Sequence, residues 1–293
     1  MSTIPDRCSL RSLAAHEALA GTASTIRRWL LVEHLGPWGE VALRDAPLVS
    51  GARERLRAWE RATRGRVLLI RRAGRDPSGP TPACLAVDTR RARAGSRSID
   101  GLENLAGLDL EDAHAFSEPV TGPVIVVCTH GRRDVCCAER GRPLAAAAAA
   151  ALPGGVWEST HVGGDRFAGN LVAFPHGLYF GRIEPDRAAE VVHAYGEGRI
   201  VLDRYRGRSC DPLPVQAGDQ AVRSRFGLEA IDDVRPLRVS RDADRVSMTF
   251  ATSRGEVDAM VERDRHEPMR LTCRADRAQA PTAWRVTSVD PAG

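Results

Sequence analysis

GPVIVVCTHGRRDVCCAERGRPLAAAAAAALPGGVWES, residues 122–159, holds the pattern that decides the fold. GPVIVVC is a continuous apolar, β-branched run and reads as a buried strand ending at Cys128. PLAAAAAAALPGG reads as a helix, because Pro143 suits a first helical turn, alanine has the best helix propensity, and glycines follow the end. VWES reads as the next strand. Between the first strand and the helix, the polar THGRRDVCC is expected to be a loop. Cys128 at one end of it and Cys136 with Cys137 at the other can then converge.

Outward from this unit, LVAFPHGLYFGR (171–182) reads as a hairpin and PDRAAEVVHAYGEG (185–198) as a closing helix. Upstream, SLRSLAAHEALAG suggests a short helix and STIRRWLLVEH a strand. SGARERLRAWERATRG suggests an amphipathic helix opened by Ser50 and closed by Gly65. RVLLIRR and ACLAVDT read as strands on either side of a Gly- and Pro-rich loop, and NLAGLDLEDAHAF as a helical or irregular segment. Both halves follow the order β-α-β-β-α. The expected fold class is therefore α/β, with two tandem thioredoxin-like units and a small C-terminal antiparallel β appendage. The expected units are residues 1–118 without ligands, 119–206 with the cysteines, and 207–293. The last comprises a helix, VQAGDQAVRSRFG, and strands LRVSRD, RVSMTFATS, GEVDAMVERD, MRLTCRA and AWRVTSVD. No catalytic pattern occurs there, and it reads as a structural or partner-binding appendage, the structural reading being favoured.

A chain of 293 residues with 43% apolar content can bury a sizeable core. The formal charge of +4 comes from arginine alone, spread among Asp and Glu in every segment, which argues against a nucleic-acid footprint. The opening MSTIPDRCSL lacks a signal-peptide pattern, and no apolar run is long enough for a membrane span. A cytoplasmic protein without membrane or nucleic-acid partners is expected. Seven cysteines in a reducing compartment point to metal or redox use more than to disulfides.

The spacing of the ligand-capable residues is C-x8-C for Cys128 and Cys137, then H-x3-D for His161 and Asp165. Iron in a 2Fe-2S cluster takes two ligands per metal, thiolate or imidazole, and paired short spacings let each loop grip one iron. Cys136 and Cys137 are adjacent, so their side chains should diverge and one of them should bind. His130 and the arginines Arg132, Arg133, Arg140, Arg142 and Arg166 surround the motif, where they would balance cluster charge or steer an acidic partner. Asp165 has a plainer reading as a partner of Arg166. Cys8, Cys84 and Cys273 lack ligand-spaced neighbours and read as structural thiols, and Trp29, Trp38, Trp59 and Trp157 as core residues.

At CTHGRRDVCCAERGRP, HVGGDRFAGNLVAFPHGLYFGR, RGRSC and the N-terminal block beginning CSLRSL, the chain resembles the sucrase/ferredoxin-like family. Members are thioredoxin-like ferredoxins with a C-x8-C pair and, in fungal members, an H-x3-H pair. The resemblance covers nearly the whole chain and implies a 2Fe-2S cofactor ligated by Cys128, Cys137 and His161. Asp165 stands where the fungal pattern has its second histidine, so the fourth ligand falls to Asp165, with Cys136 or Cys210 as alternates. The resemblance implies a one-electron carrier supplied by a flavin-dependent reductase, with an unidentified acceptor. It implies no stand-alone enzyme and no sucrase activity, since no pair of catalytic carboxylates is evident. Two other functions fit the same residues: a thiol-disulfide oxidoreductase, although no C-x-x-C occurs, and a structural zinc module.

Overall fold

The computed structural model of the chain describes residues 7–73, 83–99, 101–107, 109–110 and 116–292. It is a mixed α/β structure with one ten-stranded sheet and one four-stranded antiparallel sheet. In the first half, β1 (Arg28–Glu33) runs parallel to β2 (Arg66–Arg72) and antiparallel to β3 (Ala83–Asp88), which pairs with β4 (Arg93–Ser98). A two-residue strand, β5 (Glu118–Pro119), closes that edge. In the second half, β6 (Val124–Cys128) runs parallel to β7 (Val156–Ser159) and antiparallel to β8 (Leu171–Phe174). β9 (Leu178–Phe180) and β10 (Tyr205–Arg208) follow in antiparallel order.

The two halves share a strand order, and the antiparallel pairing of β2 with β7, Ile70 opposite Ser159, fuses them into one continuous sheet. β6 is buried at all five positions, as its unbroken apolar run requires. The sheet curls strongly. Trp29 of β1 lies 5.4 Å, ring to ring, from Phe174 of β8 in an edge-on contact, although three strands separate them in the sheet order. The concave face is filled by Trp29, Leu31, Ile70, Val126, Trp157 and Phe174, with Cys128 and Cys137 at its margin.

Helix α1 (Cys8–Ala14) lies at the start, and α2 (Ala42–Asp45) and α3 (Ser50–Thr63) follow β1. α3 buries Ala52, Leu56 and Trp59 against β1 and β2, while Trp38 joins the same core. It ends on Arg64 in the left-handed region, φ 53°, one residue before the expected Gly65, and Ser50 makes no side-chain cap. The expected helical stretch NLAGLDLEDAHAF takes part in a 3-10 turn over Leu102–Gly107, and its residues 108 and 111–115 lie outside the described residues. So do residues 74–82 of the expected loop at 72–82.

α4 (Val135–Ala151) is the main departure from expectation, because it starts eight residues before Pro143. Asp134 caps it, its carboxylate accepting the Cys136 backbone N–H at 2.9 Å, and the helix continues through Pro143, which has no N–H to give the ladder. Cys136 and Cys137 therefore sit in the first helical turn and not in a loop. Alanines keep the helix slim, and Gly141 lets it press onto the sheet: a Cβ there would come within 2.0 Å of the Cys128 carbonyl oxygen. α5 (Ala188–Gly196) packs beside α4.

The C-terminal region comprises α6 (Leu213–Phe226) and the sheet β11 (Val234–Asp242), β12 (Arg245–Thr252), β13 (Gly255–Arg265) and β14 (Thr282–Pro291). The expected strand MRLTCRA does not form. Residues 266–281 are irregular apart from one bridge between Met269 and Gln279, and they carry Cys273 away from the sheet. α6 is tied to the N-terminal segment by Gln216, which accepts the Ala23 N–H at 3.0 Å and donates to the Asp211 carbonyl at 2.8 Å.

Candidate metal centre

Cys128 ends β6, Cys137 stands on the first turn of α4, and His161 follows β7. Their ligand atoms all lie within 4.8 Å of one another. The Cys137 Sγ is 3.9 Å from His161 Nδ1 and donates to Asp165 Oδ1 at 3.2 Å. The same carboxylate oxygen is 2.9 Å from His161 Nδ1. The two thiols and Asp165 are buried, and only the His161 ring reaches solvent. All four residues expected from the spacing are thus brought together, with Cys128, Cys137 and His161 as the tight set and Asp165 bridging Cys137 to His161.

The HVGGD loop is gripped at successive backbone groups. The His161 N–H donates to His130 Nδ1 at 3.2 Å, and the other nitrogen of that ring is 2.8 Å from the Gly39 carbonyl. Val162 offers its carbonyl to three donors: Ser24 Oγ at 2.9 Å, Arg66 Nη1 at 3.0 Å and Tyr179 Oη at 2.9 Å. Arg206 Nη1 reaches the Gly163 carbonyl at 3.2 Å, and Asn170 Nδ2 the Gly164 carbonyl at 2.8 Å. Gly164, at φ 79°, leaves room for the Arg206 guanidinium, which a Cβ would meet at 2.3 Å. Side chains from β2, β9, β10 and the segment before β1 therefore fix the imidazole's position. His130, Asn170, Tyr179 and Arg206 lie inside the quoted sequence blocks, but nothing in their spacing marked them as holding this loop, and Ser24 and Arg66 read as ordinary strand positions.

The charges form a coupled set. The Cys137 thiol, its one S–H shared between Asp165 and the Cys128 sulfur, and then His161 hold Cys128 well below the ordinary thiol range against its burial. Cys137 is pushed well up by that same bond and by burial. Burial acts to lower His161, but Asp165 and the Cys128 sulfur outweigh it and raise the imidazole to about 9. Burial acts to raise Asp165, and His161 and Cys137 reverse this to hold it low. The metal-free site is an imidazolium between a thiolate and a carboxylate. A metal's positive charge takes the place of those protons, as ligand exchange requires. The donor set of two sulfurs, an imidazole and a carboxylate, buried and pre-positioned, fits an iron-sulfur group.

Cys136 faces the other way. Its sulfur lies 3.7 Å from Cys8 Sγ and 3.4 Å from Cys273 Sγ, in a second group with Asp134. Cys8 and Cys273 thus have ligand-type neighbours that spacing alone did not reveal. Cys84 is buried in the first half, and burial pushes its thiol up to about 12. Cys210 sits against Asp211, 3.8 Å from its Oδ1, and among the described residues joins neither group. Arg166 pairs with buried Glu17 at 2.7 Å, not with Asp165, and Arg140 pairs with Glu184 at 3.3 Å. Arg132, Arg133 and Arg142 stay exposed.

Comparison with known proteins places this site in context. The family described as Sucrase/ferredoxin-like matches residues 19–207. Three curated relatives are each named Altered inheritance of mitochondria protein 32. The protein from Meyerozyma guilliermondii is 33% identical over 31% of this chain and 36% of its own length. That from Candida glabrata is 27% identical over 36% of this chain and 38% of its own. That from Clavispora lusitaniae is 31% identical over 34% of this chain and 40% of its own. The chain therefore matches well under half the length of these relatives. No solved structure matches significantly.

Proposed function

The chain belongs to the sucrase/ferredoxin-like family, and on that premise we propose that it is an electron-transfer protein with a 2Fe-2S cluster held by Cys128, Cys137, His161 and Asp165. The observation that carries this reading is the convergence of those four side chains in a buried site whose histidine loop is pinned at consecutive backbone groups. A bound 2Fe-2S cluster supplies one-electron redox chemistry without proton or group transfer.

The remaining work falls to the chain. Cys128 and Cys137 give up their protons and offer sulfur from inside the sheet margin. His161 offers nitrogen from the solvent side, and buried Asp165 an oxygen beside it. His161, the most exposed of the four, marks the side on which a partner approaches. Burial of the two cysteines keeps water from the sulfurs. In this reading the second half is a thioredoxin-like unit, supported by the strand order β7-β6-β8-β9 with its single parallel pair and the closing helix α5. The carrier works in the cytoplasm, takes its electron from a flavin-dependent reductase and passes it to an acceptor. Among the described residues, no helix is long and apolar enough to cross a membrane.

One feature favours a second reading. Cys128 and Cys137 form a thiolate-thiol pair, the protonation pattern of a thiol-disulfide exchanger. Anaerobic purification followed by iron, acid-labile sulfide and visible spectroscopy separates the two. A coloured protein with about two irons and two sulfides per chain supports the carrier. A colourless protein with a Cys128–Cys137 disulfide or stoichiometric zinc overturns it.

A further inference from the structure

The group of Cys8, Asp134, Cys136 and Cys273 is separate from the site above and shares no residue with it. Its three sulfurs stand 3.7, 3.4 and 3.4 Å apart, one edge for each pair. Thiolates placed about 2.3 Å from a zinc ion at tetrahedral angles stand about 3.8 Å apart, so the three sulfurs nearly trace one face of such a tetrahedron. A disulfide would draw two together and strand the third. Asp134 lies toward the fourth corner, its oxygens 3.7 and 3.8 Å from the Cys8 sulfur.

The surroundings resemble the outer shell of a thiolate site. Asp134 is oriented by two backbone donors, the Cys136 N–H at 2.9 Å and the Cys273 N–H at 2.7 Å. The Cys8 N–H donates to the Cys273 sulfur, and Ser9 Oγ to the Cys136 sulfur, each at 3.3 Å. Such donors stabilise negative sulfur and fix ligand direction. Ordinary packing does not account for the cluster: beyond the three cysteines it contains only Ala168. The sulfurs come from α1, the start of α4 and the irregular connection between β13 and β14, segments as far as 265 positions apart. That connection lacks strands of its own, and a connection of this length in a compact region is uncommon without a functional role. Cys8 and Cys273 both lie outside the stretch matched by the family.

We propose that Cys8, Cys136 and Cys273, with Asp134, bind a single thiophilic divalent ion of the zinc type. The ion clips the N-terminal helix and the β13–β14 connection onto the helix that carries the first site. Binding displaces the protons of the three thiols to solvent, and thiolate sulfur with one carboxylate selects zinc over the hard cations. Nothing here depends on an iron-sulfur cluster at the first site.

Cobalt(II), a coloured stand-in for zinc, tests this on the full chain carrying Cys128→Ser and His161→Ala, which removes the first site as a competitor. The expected result is one cobalt per chain with an intense thiolate-to-cobalt charge-transfer band, weakened at least about tenfold in affinity when Cys8→Ser or Cys273→Ser is added. Absence of the band, or its survival through both substitutions, overturns the proposal. Differential alkylation of the unaltered chain gives a second readout that needs no variant to fold. Zinc should shield Cys8, Cys136 and Cys273, and a chelator should expose them. Equal labelling with and without zinc, or a disulfide between any two of the three, also overturns it. A colourless wild-type protein would sink the electron-carrier reading and leave this result standing.

Discussion

Cys136 and Cys137 are neighbours in the chain, yet about 100° of helical rotation sends their sulfurs into two clusters built in different ways. Cys137 meets Cys128, His161 and Asp165, all within one strand-helix-strand-strand unit, and the scaffold around them is a web of hydrogen bonds to the histidine loop. Cys136 meets Cys8 and Cys273, which arrive from the two ends of the described chain. The first site is held by hydrogen bonds from neighbouring strands, whereas the second joins α1 and the β13–β14 connection, which Arg11 also ties together through the Thr272 carbonyl at 3.2 Å. Pre-positioning suits a redox centre, whose ligands should move little with each electron, and recruitment of distant segments suits a structural clip.

Exchanging one cysteine at a time breaks this comparison most sharply. Cys128→Ser or Cys137→Ser should abolish bound iron and sulfide, while Cys136→Ser leaves both in place and removes the second ion, as read by metal analysis of the purified chains. Reversal of the Cys136 and Cys137 outcomes would exchange the roles of the two clusters.

The next effect concerns Asp165. Asp165→His should retain the cluster and raise its reduction potential, because a neutral imidazole replaces a carboxylate and the added electron meets less negative charge. Asp165→Ala should weaken cluster retention. Potentiometric titration followed by EPR reads both, and an unchanged potential in Asp165→Ala would remove Asp165 from the ligand set.

A smaller effect sharpens the electrostatic side. In the metal-free protein the His161 pKa is raised from 6.5 to about 9, so the imidazolium contributes stability that is fully present below pH 6.5 and is lost as pH rises through 9. Thermal melts of metal-free protein should therefore fall across that window, and His161→Gln should flatten the fall. The smallest change is Tyr179→Phe. It removes one of three donors on the Val162 carbonyl and should cost about 0.5–1.5 kcal/mol in urea unfolding, with the metal content unchanged.

Much of the second half was legible in the sequence because its signals are local: the apolar run of β6, the alanines of α4, and the turn between β8 and β9. The start of α4 was not, because Pro143 advertises a first turn that the Asp134 cap had already opened. MRLTCRA reads as a strand by composition, but its cysteine is held against the Asp134 group instead. β4 and β10 escaped notice because RAGSRS and YRGR carry no alternating apolar pattern, being paired at or near a sheet edge. The first site followed from C-x8-C and H-x3-D, which are spacings within one unit. The second could not follow from spacing, since its cysteines are separated by 128 and 137 positions and meet only through the tertiary fold.

The most direct test of the central claim is pulsed EPR on the dithionite-reduced, anaerobically purified protein. The expected result is a spin-half signal that is absent before reduction and carries a coupling to one histidine nitrogen, a coupling that disappears in His161→Cys while the signal itself remains. A protein that shows no signal on reduction and holds zinc without sulfide at Cys128 and Cys137 would contradict it.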